Sequence, residues 1–382
     1  MLSPARMVYW QVIVLIKRTF LAFLSAFFLF SAPVSAFTEP SVSAQSAVLY
    51  DPLDGSVLYQ KKATEPRGMA STTKIMTALV ALEQYDLQET VTVRKEWCGI
   101  EGSSIYLRAG EQLTVSDLLY GLLLESGNDA AAALAGLDSD GEQGFVQKMN
   151  EKAEALGLQH THFENPSGLD GETHYTTALE LAQIAAFAMK DPVFARIAST
   201  EQITVSGRTW TNHNRLLREI GVCGVKTGFT KSCGRCLVSA KEQNGRMLLC
   251  VTLNAPNDWA DHKALYEYGF GRLQPYDLLG AGDCGSVPLI SNERKVSRLY
   301  TNESFSAWLT EEQRQRMTVS VCGPRFWYGA TQAGQRYGTL QIRLDGQVLF
   351  ETPVYFSENT RETTPEPSRF SRWIVFLFRR RI

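Results

Sequence analysis

Ser71-Thr-Thr-Lys74 sets a hydroxyl and an amine three residues apart at the head of an apolar run, Ile75-Met-Thr-Ala-Leu-Val-Ala-Leu82. On a helix, residues three apart share a face about one turn apart, so these two side chains can touch. A helix N-terminus also gathers unpaired N–H groups and the positive end of the helix dipole. Negative charge is favoured there, both on the serine oxygen and on a carbonyl that it attacks. A lysine kept neutral by burial or by a second cation can take the hydroxyl proton. The pattern therefore reads as an activated serine nucleophile. Taken alone it reads first as a helix cap followed by a solvated lysine, and the rest of the chain must separate the two.

Two more short patterns follow in order, Ser126-Gly-Asn128 and Lys226-Thr-Gly228. The first falls between two predicted helices. Thr114-Val-Ser-Asp117 is a capping box that opens a helix over 115–125, and 129–135 starts the next. Ser-Gly-Asn is thus a tight polar turn among apolar helices. The second lies in a strand-like run, 224–228. Strands are also predicted at 46–50 and 56–59, joined by the turn Asp51-Pro-Leu-Asp-Gly55, and at 202–206, 236–239 and 247–253. Helices are predicted at 71–86, 178–190 and 262–270, with a Gly/Pro/Asn/His-rich loop over 161–177. Strands, a block of helices, more strands and a last helix imply an antiparallel sheet covered by helices, with a helical subdomain inserted. From 274 the chain shifts to short β-like runs, which predicts a separate small all-β domain over 274–357.

The 382 residues exceed one average domain, and 44% hydrophobic with 20% charged residues is enough for a sizeable core. A net charge of −2, without a basic stripe or a phosphate-cradling glycine loop, gives no case for nucleic acid as a partner. No metal or other cofactor is expected, because the histidines 160, 162, 174 and 213 lack ligand spacing and read as loop and surface residues. Residues 1–36 read as a signal peptide: Arg6, Lys17 and Arg18 precede the apolar run 19–30, and Ser31-Ala-Pro-Val-Ser-Ala36 ends in small residues. An exported chain with cleavage after Ala36 is the expectation, an uncleaved anchor the alternative. Seven cysteines leave at least one unpaired within the chain, and Cys233-Gly-Arg-Cys236 has no second pair or nearby histidine to make a zinc site, so it reads as structural. Residues 358–368 form a polar linker. Beyond it, Arg369-Phe-Ser-Arg-Trp-Ile-Val-Phe-Leu-Phe-Arg-Arg-Arg-Ile382 is too short to span a bilayer but suits a membrane surface, so 358–382 reads as linker and amphipathic basic anchor.

Together the three patterns resemble the SxxK, SxN and KTG motifs of penicillin-binding enzymes. The flanking strings Gly102-Ser-Ser-Ile-Tyr-Leu107, Leu124-Glu-Ser-Gly-Asn-Asp129, Asn165-Pro-Ser-Gly-Leu-Asp170 and Lys226-Thr-Gly-Phe-Thr230 narrow this to the low-molecular-mass, serine-type D-alanyl-D-alanine carboxypeptidases. The resemblance spans about 46–270 and extends more loosely to the β-domain and the anchor. It implies an α/β fold of the serine β-lactamase/penicillin-binding-protein type over 37–273. It also implies a substrate, the peptidoglycan stem peptide ending in D-Ala-D-Ala, and β-lactams as covalent inhibitors. Ser71 is then the nucleophile, Lys74 its base, and Ser126 a bridge between Lys74 and Lys226 that passes a proton to the leaving amine. Asn128 offers its amide to the substrate backbone, and Lys226 and Thr227 receive the terminal carboxylate. Gly228 lets the substrate lie close, and the N–H groups of Ser71 and Phe229 form the oxyanion hole. The arginine that relatives carry downstream has no counterpart in 254–263, so either His262 or the Thr227/Thr230 pair replaces it or the alignment shifts. A class A-like β-lactamase lacks its Glu-x-x-Leu-Asn string here. A catalytically idle, membrane-tethered cell-wall binder is the alternative of another class.

Overall fold

The computed structural model describes residues 38–363; the predicted signal, 1–36, and the basic apolar segment, 369–382, lie outside them. Strands β1 (Ser46–Asp51) and β2 (Ser56–Lys61) form the expected hairpin, with Gly55 at φ +76° closing its turn. A turn of 3-10 helix, Ala70–Thr73, leads into α1 (Lys74–Gln84), which is buried through its first eight residues. A short pair, β3 (Thr90–Thr92) and β4 (Gln112–Thr114), precedes α2 (Val115–Leu124). The capping box closes as the sequence predicts: the Thr114 hydroxyl accepts from Asp117 N and the Asp117 carboxylate from Thr114 N, both at 3.1 Å. Then come α3 (Asn128–Ala135), α4 (Gly141–Ala155), α5 (Ala178–Ala188), α6 (Pro192–Ser199), the hairpin β5 (Gln202–Val205)–β6 (Arg208–Thr211) and the short α7 (Leu216–Ile220).

The chain returns as β7 (Val225–Thr230), β8 (Gly234–Gln243) and β9 (Arg246–Leu253), then α8 (Asp258–Gly271). The main sheet is antiparallel in the order β2-β1-β9-β8-β7, so the first hairpin joins the late strands and β7 is left at an edge. Side chains in register share a face. One such row reads Val48, Val251, Val238 and, on the edge strand, Lys226. The three valines belong to the core beneath the helix block, which places the Lys226 amine on that same face. The opposite face packs Leu49, Leu237 and Cys250 against Leu265 and Tyr266 of α8.

His262 lies wholly within this second core, not at the substrate face. Its Nδ1 bonds to Ser239 Oγ at 2.7 Å and its Nε2 to Thr252 Oγ1 at 3.0 Å. The idea that it stands in for the missing arginine therefore fails on position. Burial pushes its pKa from 6.5 down to about 3. Between those values the unfolded chain binds a proton that the folded chain does not, so stability is lost as pH falls through that window. Each pH unit costs about tenfold in the folding constant. The Tm should fall steadily from pH 7 to pH 4, and the slope should be shallower in His262→Gln. A Tm independent of pH over that range would mean that the ring is charged in the folded chain.

Beyond α8, β10 (Gln274–Leu279) pairs with β13 (Phe305–Leu309). A six-stranded sheet then runs β14 (Met317–Cys322), β16 (Arg336–Leu344), β17 (Gln347–Phe356), β12 (Val296–Thr301), β11 (Gly282–Ile290), β15 (Trp327–Tyr328). Its own core includes Val287, Leu299, Leu340, Ile342, Val354 and Phe356. The short helix Glu311–Arg316, between β13 and β14, meets the main sheet at the buried Asp51, which accepts from Arg246 of β9 and, at 2.8 Å, from Gln313 Nε2. The predicted linker is structured in its first part: Thr360 Oγ1 bonds Asn292 and Thr331, and Thr363 N donates to Ser291 O at 2.9 Å. The seven thiols are unpaired, with Cys236 buried on β8 and Cys233 in the turn before it.

Candidate active site

In a 3-10 turn residues i and i+3 eclipse, so the turn Ala70–Thr73 brings Ser71 over the first residue of α1. Ser71 Oγ and Lys74 Nζ are 3.1 Å apart. Lys74 is wholly buried, and its two other partners are both acceptors: Asn128 Oδ1 at 2.7 Å and the Ser167 carbonyl at 2.5 Å. A neutral lysine has two N–H donors and one lone pair. With both donors committed, the lone pair is left facing the serine hydroxyl. Burial pushes the Lys74 pKa well below its ordinary value, the charge of Lys226 pushes it the same way, and Asp129 opposes both. Burial also takes Lys226 down to about 7, against the pull of Glu125. Burial first, and the charge of the second buried lysine after it, therefore favour the neutral amine on Lys74.

The other motifs close around the pair. Ser126 is buried on the turn between α2 and α3 at φ +63°, a conformation that the short polar turn imposes. Strand β7 passes so close to Ser71 that a Cβ on Gly228 would stand 3.1 Å from the N atoms of Ser71 and Thr72. A side chain there would make these backbone atoms give by a few tenths of an ångström, which glycine spares them. Phe229 follows, 64% exposed, on an edge strand whose free side can accept an extended peptide. The carboxylate of Asp129 fastens the facing loop, accepting from Ser104 Oγ, Ile105 N and Leu107 N.

An activated serine, a buried lysine pair and an open edge strand are what acyl transfer from a peptide needs, and likeness to known proteins agrees. Residues 34–257 match the family model described as D-alanyl-D-alanine carboxypeptidase. The chain belongs to the D-alanyl-D-alanine carboxypeptidase family. It is 32% identical over 348 residues to the D-alanyl-D-alanine carboxypeptidase DacF of Bacillus subtilis, covering 85% of this chain and 88% of that protein. It is 31% identical over 381 residues to DacC of Escherichia coli, covering 88% and 90%. Among solved structures, penicillin binding protein 5 of Haemophilus influenzae superposes with a TM-score of 0.62 at 27% identity, over 85% of this chain and 99% of that one.

Within this carboxypeptidase, Ser71, Lys74, Asn128, Lys226 and Gly228 come together at one face of the sheet. Two expected contacts differ in the structure. Ser126 is not among the hydrogen-bond partners of either lysine; Lys226 Nζ instead donates to Thr227 O at 3.0 Å. The Asn128 amide nitrogen already donates one hydrogen to Glu101 O at 2.5 Å, so only its second hydrogen is left for a substrate backbone. Thr230 is committed to Asp170 Oδ1 at 2.8 Å, which leaves Thr227 of the proposed pair. Sequence reasoning did not find the Ser167 carbonyl, since a backbone atom has no residue-type signal, although it lies inside the Asn165–Asp170 string. His174 is also buried rather than a surface loop residue.

Proposed function

We infer that this chain is a serine-type D-Ala-D-Ala carboxypeptidase that removes the terminal D-alanine from peptidoglycan pentapeptide stems. The observation that carries the reading is the Ser71 hydroxyl 3.1 Å from a lysine whose two N–H donors are already taken. Ser71 Oγ attacks the carbonyl between the two D-alanines as its proton passes to Lys74 Nζ. The N–H groups of Ser71 and Phe229 hold the oxyanion. The C–N bond breaks, and the leaving amine takes the proton back through Ser126, leaving an ester on Ser71 and free D-alanine. Water then hydrolyses the ester. Lys226 and Thr227 hold the substrate carboxylate beside the edge strand, and β-lactams acylate the same oxygen. The direct test is chromatography of free D-alanine after incubation with a pentapeptide ending in D-Ala-D-Ala. Intact-protein mass after exposure to penicillin completes it, a stable adduct on Ser71 being expected and its absence overturning the reading.

The proposed setting is the outer face of the cytoplasmic membrane. It is supported by the leader-like pattern of residues 1–36 and by the five arginines around six apolar residues in 369–382. Because residues up to Thr363 are bonded into the β-sheet region, the truncation that tests the anchor falls after Thr363 rather than at 358. The chain ending there, without 1–36, should leave the membrane fraction and cleave small peptides at the full rate. Sedimentation with membranes would instead assign attachment to another segment.

A further inference from the structure

The residue before the nucleophile is unusual. Ala70 has φ +48°, a backbone region that side chains with a Cβ rarely adopt. Its carbonyl and the N–H of Ser71 belong to one planar trans peptide, so they point in opposite directions. Whatever fixes the Ala70 oxygen therefore aims the Ser71 N–H. That oxygen is held on the side away from β7. Thr73 Oγ1 donates to it at 2.8 Å, and Gly168, at φ +85°, packs so tightly that a Cβ there would stand 2.0 Å from it. On the opposite side, Ser71 N faces Gly228 of the edge strand.

The Thr73 hydroxyl has one proton and two neighbours that could take it, the Ala70 oxygen and His174 Nε2 at 2.8 Å. His174 decides which. Its Nδ1 accepts from Glu164 N at 3.0 Å, so the neutral ring carries its hydrogen on Nε2 and donates to Thr73. The threonine proton is then left only with Ala70 O. The ring is 5% exposed and stands edge-on to Phe163, with centroids 5.9 Å apart, so it cannot turn over freely. Burial keeps it neutral, its pKa taken from 6.5 to about 4 against the pull of Glu164.

We propose that His174 is a positioning residue that aims the oxyanion-binding N–H of Ser71, acting through Thr73 and the Ala70 carbonyl. The proposal rests on the carboxypeptidase reading above, with Ser71 as nucleophile. It places the effect on the acylation step: an N–H aimed off the developing oxyanion weakens the transition state and leaves ground-state binding alone.

The test is stopped-flow acylation by a chromogenic cephalosporin, resolved into the non-covalent constant and the acylation rate constant. It compares the wild type with His174→Phe, Thr73→Val, the double variant, His174→Gln and Thr73→Ser. The first two should each lower the acylation rate constant by about tenfold, part of the ~10²–10³-fold that deleting an oxyanion donor costs. The non-covalent constant should stay within about twofold. The double variant should lose no more than either single one, because both act on one carbonyl. Gln, with an amide donor, and Ser, with a hydroxyl, should recover most of the rate. The infrared stretch of the acyl-enzyme ester carbonyl should move to higher wavenumber in the Phe and Val variants. Thr73→Val keeps shape and burial, so it carries the test should His174→Phe fail to fold. Acylation by folded Thr73→Val at the wild-type rate, a loss confined to the non-covalent constant, multiplying losses in the double variant, or an unmoved ester stretch would each overturn the proposal. A wild type not acylated at Ser71 would overturn the carboxypeptidase reading instead.

Discussion

Ser71→Ala should release no D-alanine from a pentapeptide and take up no penicillin. Deleting the nucleophile of an acyl-transfer site removes roughly 10⁴–10⁶-fold of rate, which leaves activity below ordinary detection. The fold should be indifferent to the change. Ser71 is one of three groups around Lys74 Nζ, and the other two, Asn128 Oδ1 and Ser167 O, stay in place to satisfy the buried amine. The Tm should therefore remain within about 2 °C of wild type. Substrate binding should also persist, because Lys226, Thr227 and the edge strand are untouched. The checks are intact-protein mass after penicillin exposure, a calorimetric Tm and an equilibrium titration with the pentapeptide. A penicilloyl adduct on the variant would move the nucleophile elsewhere, and Ser126 would be examined next.

The parts of this site legible in the sequence are those where residue type and local period do the work. Ser71 and Lys74 are one turn apart, Ser126-Gly-Asn128 must turn between two helices, and Lys226-Thr-Gly228 lies in a strand-like run. Each needs only its immediate neighbours to be placed. The first hairpin and the late strands were likewise readable, but their pairing into one sheet was not, since β1 meets β9 some 200 residues away. Helices α4 and α6 escaped notice for different reasons. In α4 the buried stripe is only Phe145, Met149 and Ala153 on a polar helix. In α6 the signal is the cap Asp191, accepting from Val193 N and Phe194 N ahead of Pro192, over just eight residues. The contacts of His174, Ser167 and Asn128 were unreadable because each depends on a loop crossing a helix far away in sequence. His262 was misplaced for the same reason: one strand face leads to Lys74 and Lys226 and the other to α8, and the sequence of the helix alone does not say which it covers.

Lys74→Arg should keep a positive charge at the site and lose acylation by about 10³–10⁴-fold, because a guanidinium does not give up its proton in a protein. The variant separates a base from an electrostatic partner. The partner needs only charge, whereas the base needs a lone pair, and the geometry around Lys74 Nζ leaves one facing Ser71. The same logic gives a sign for pH. Acylation by the wild type should rise with pH as the buried pair loses a proton, burial favouring the loss from Lys74 most and the nearby charge of Lys226 adding to it. Lys226→Gln removes that charge. The protonated form of Lys74 then becomes easier to keep, so the rising limb must shift to higher pH. The shift is separable from any loss of carboxylate binding, because binding changes the concentration at which the rate saturates and not the pH at which the limb rises. Acylation rate constants measured from pH 5 to pH 10 under saturating β-lactam would carry both results. A Lys74→Arg variant that acylates at near the wild-type rate would make the lysine an electrostatic partner only. A limb in Lys226→Gln that stays put or moves to lower pH would mean that burial alone, without the second lysine, sets the proton affinity of the base.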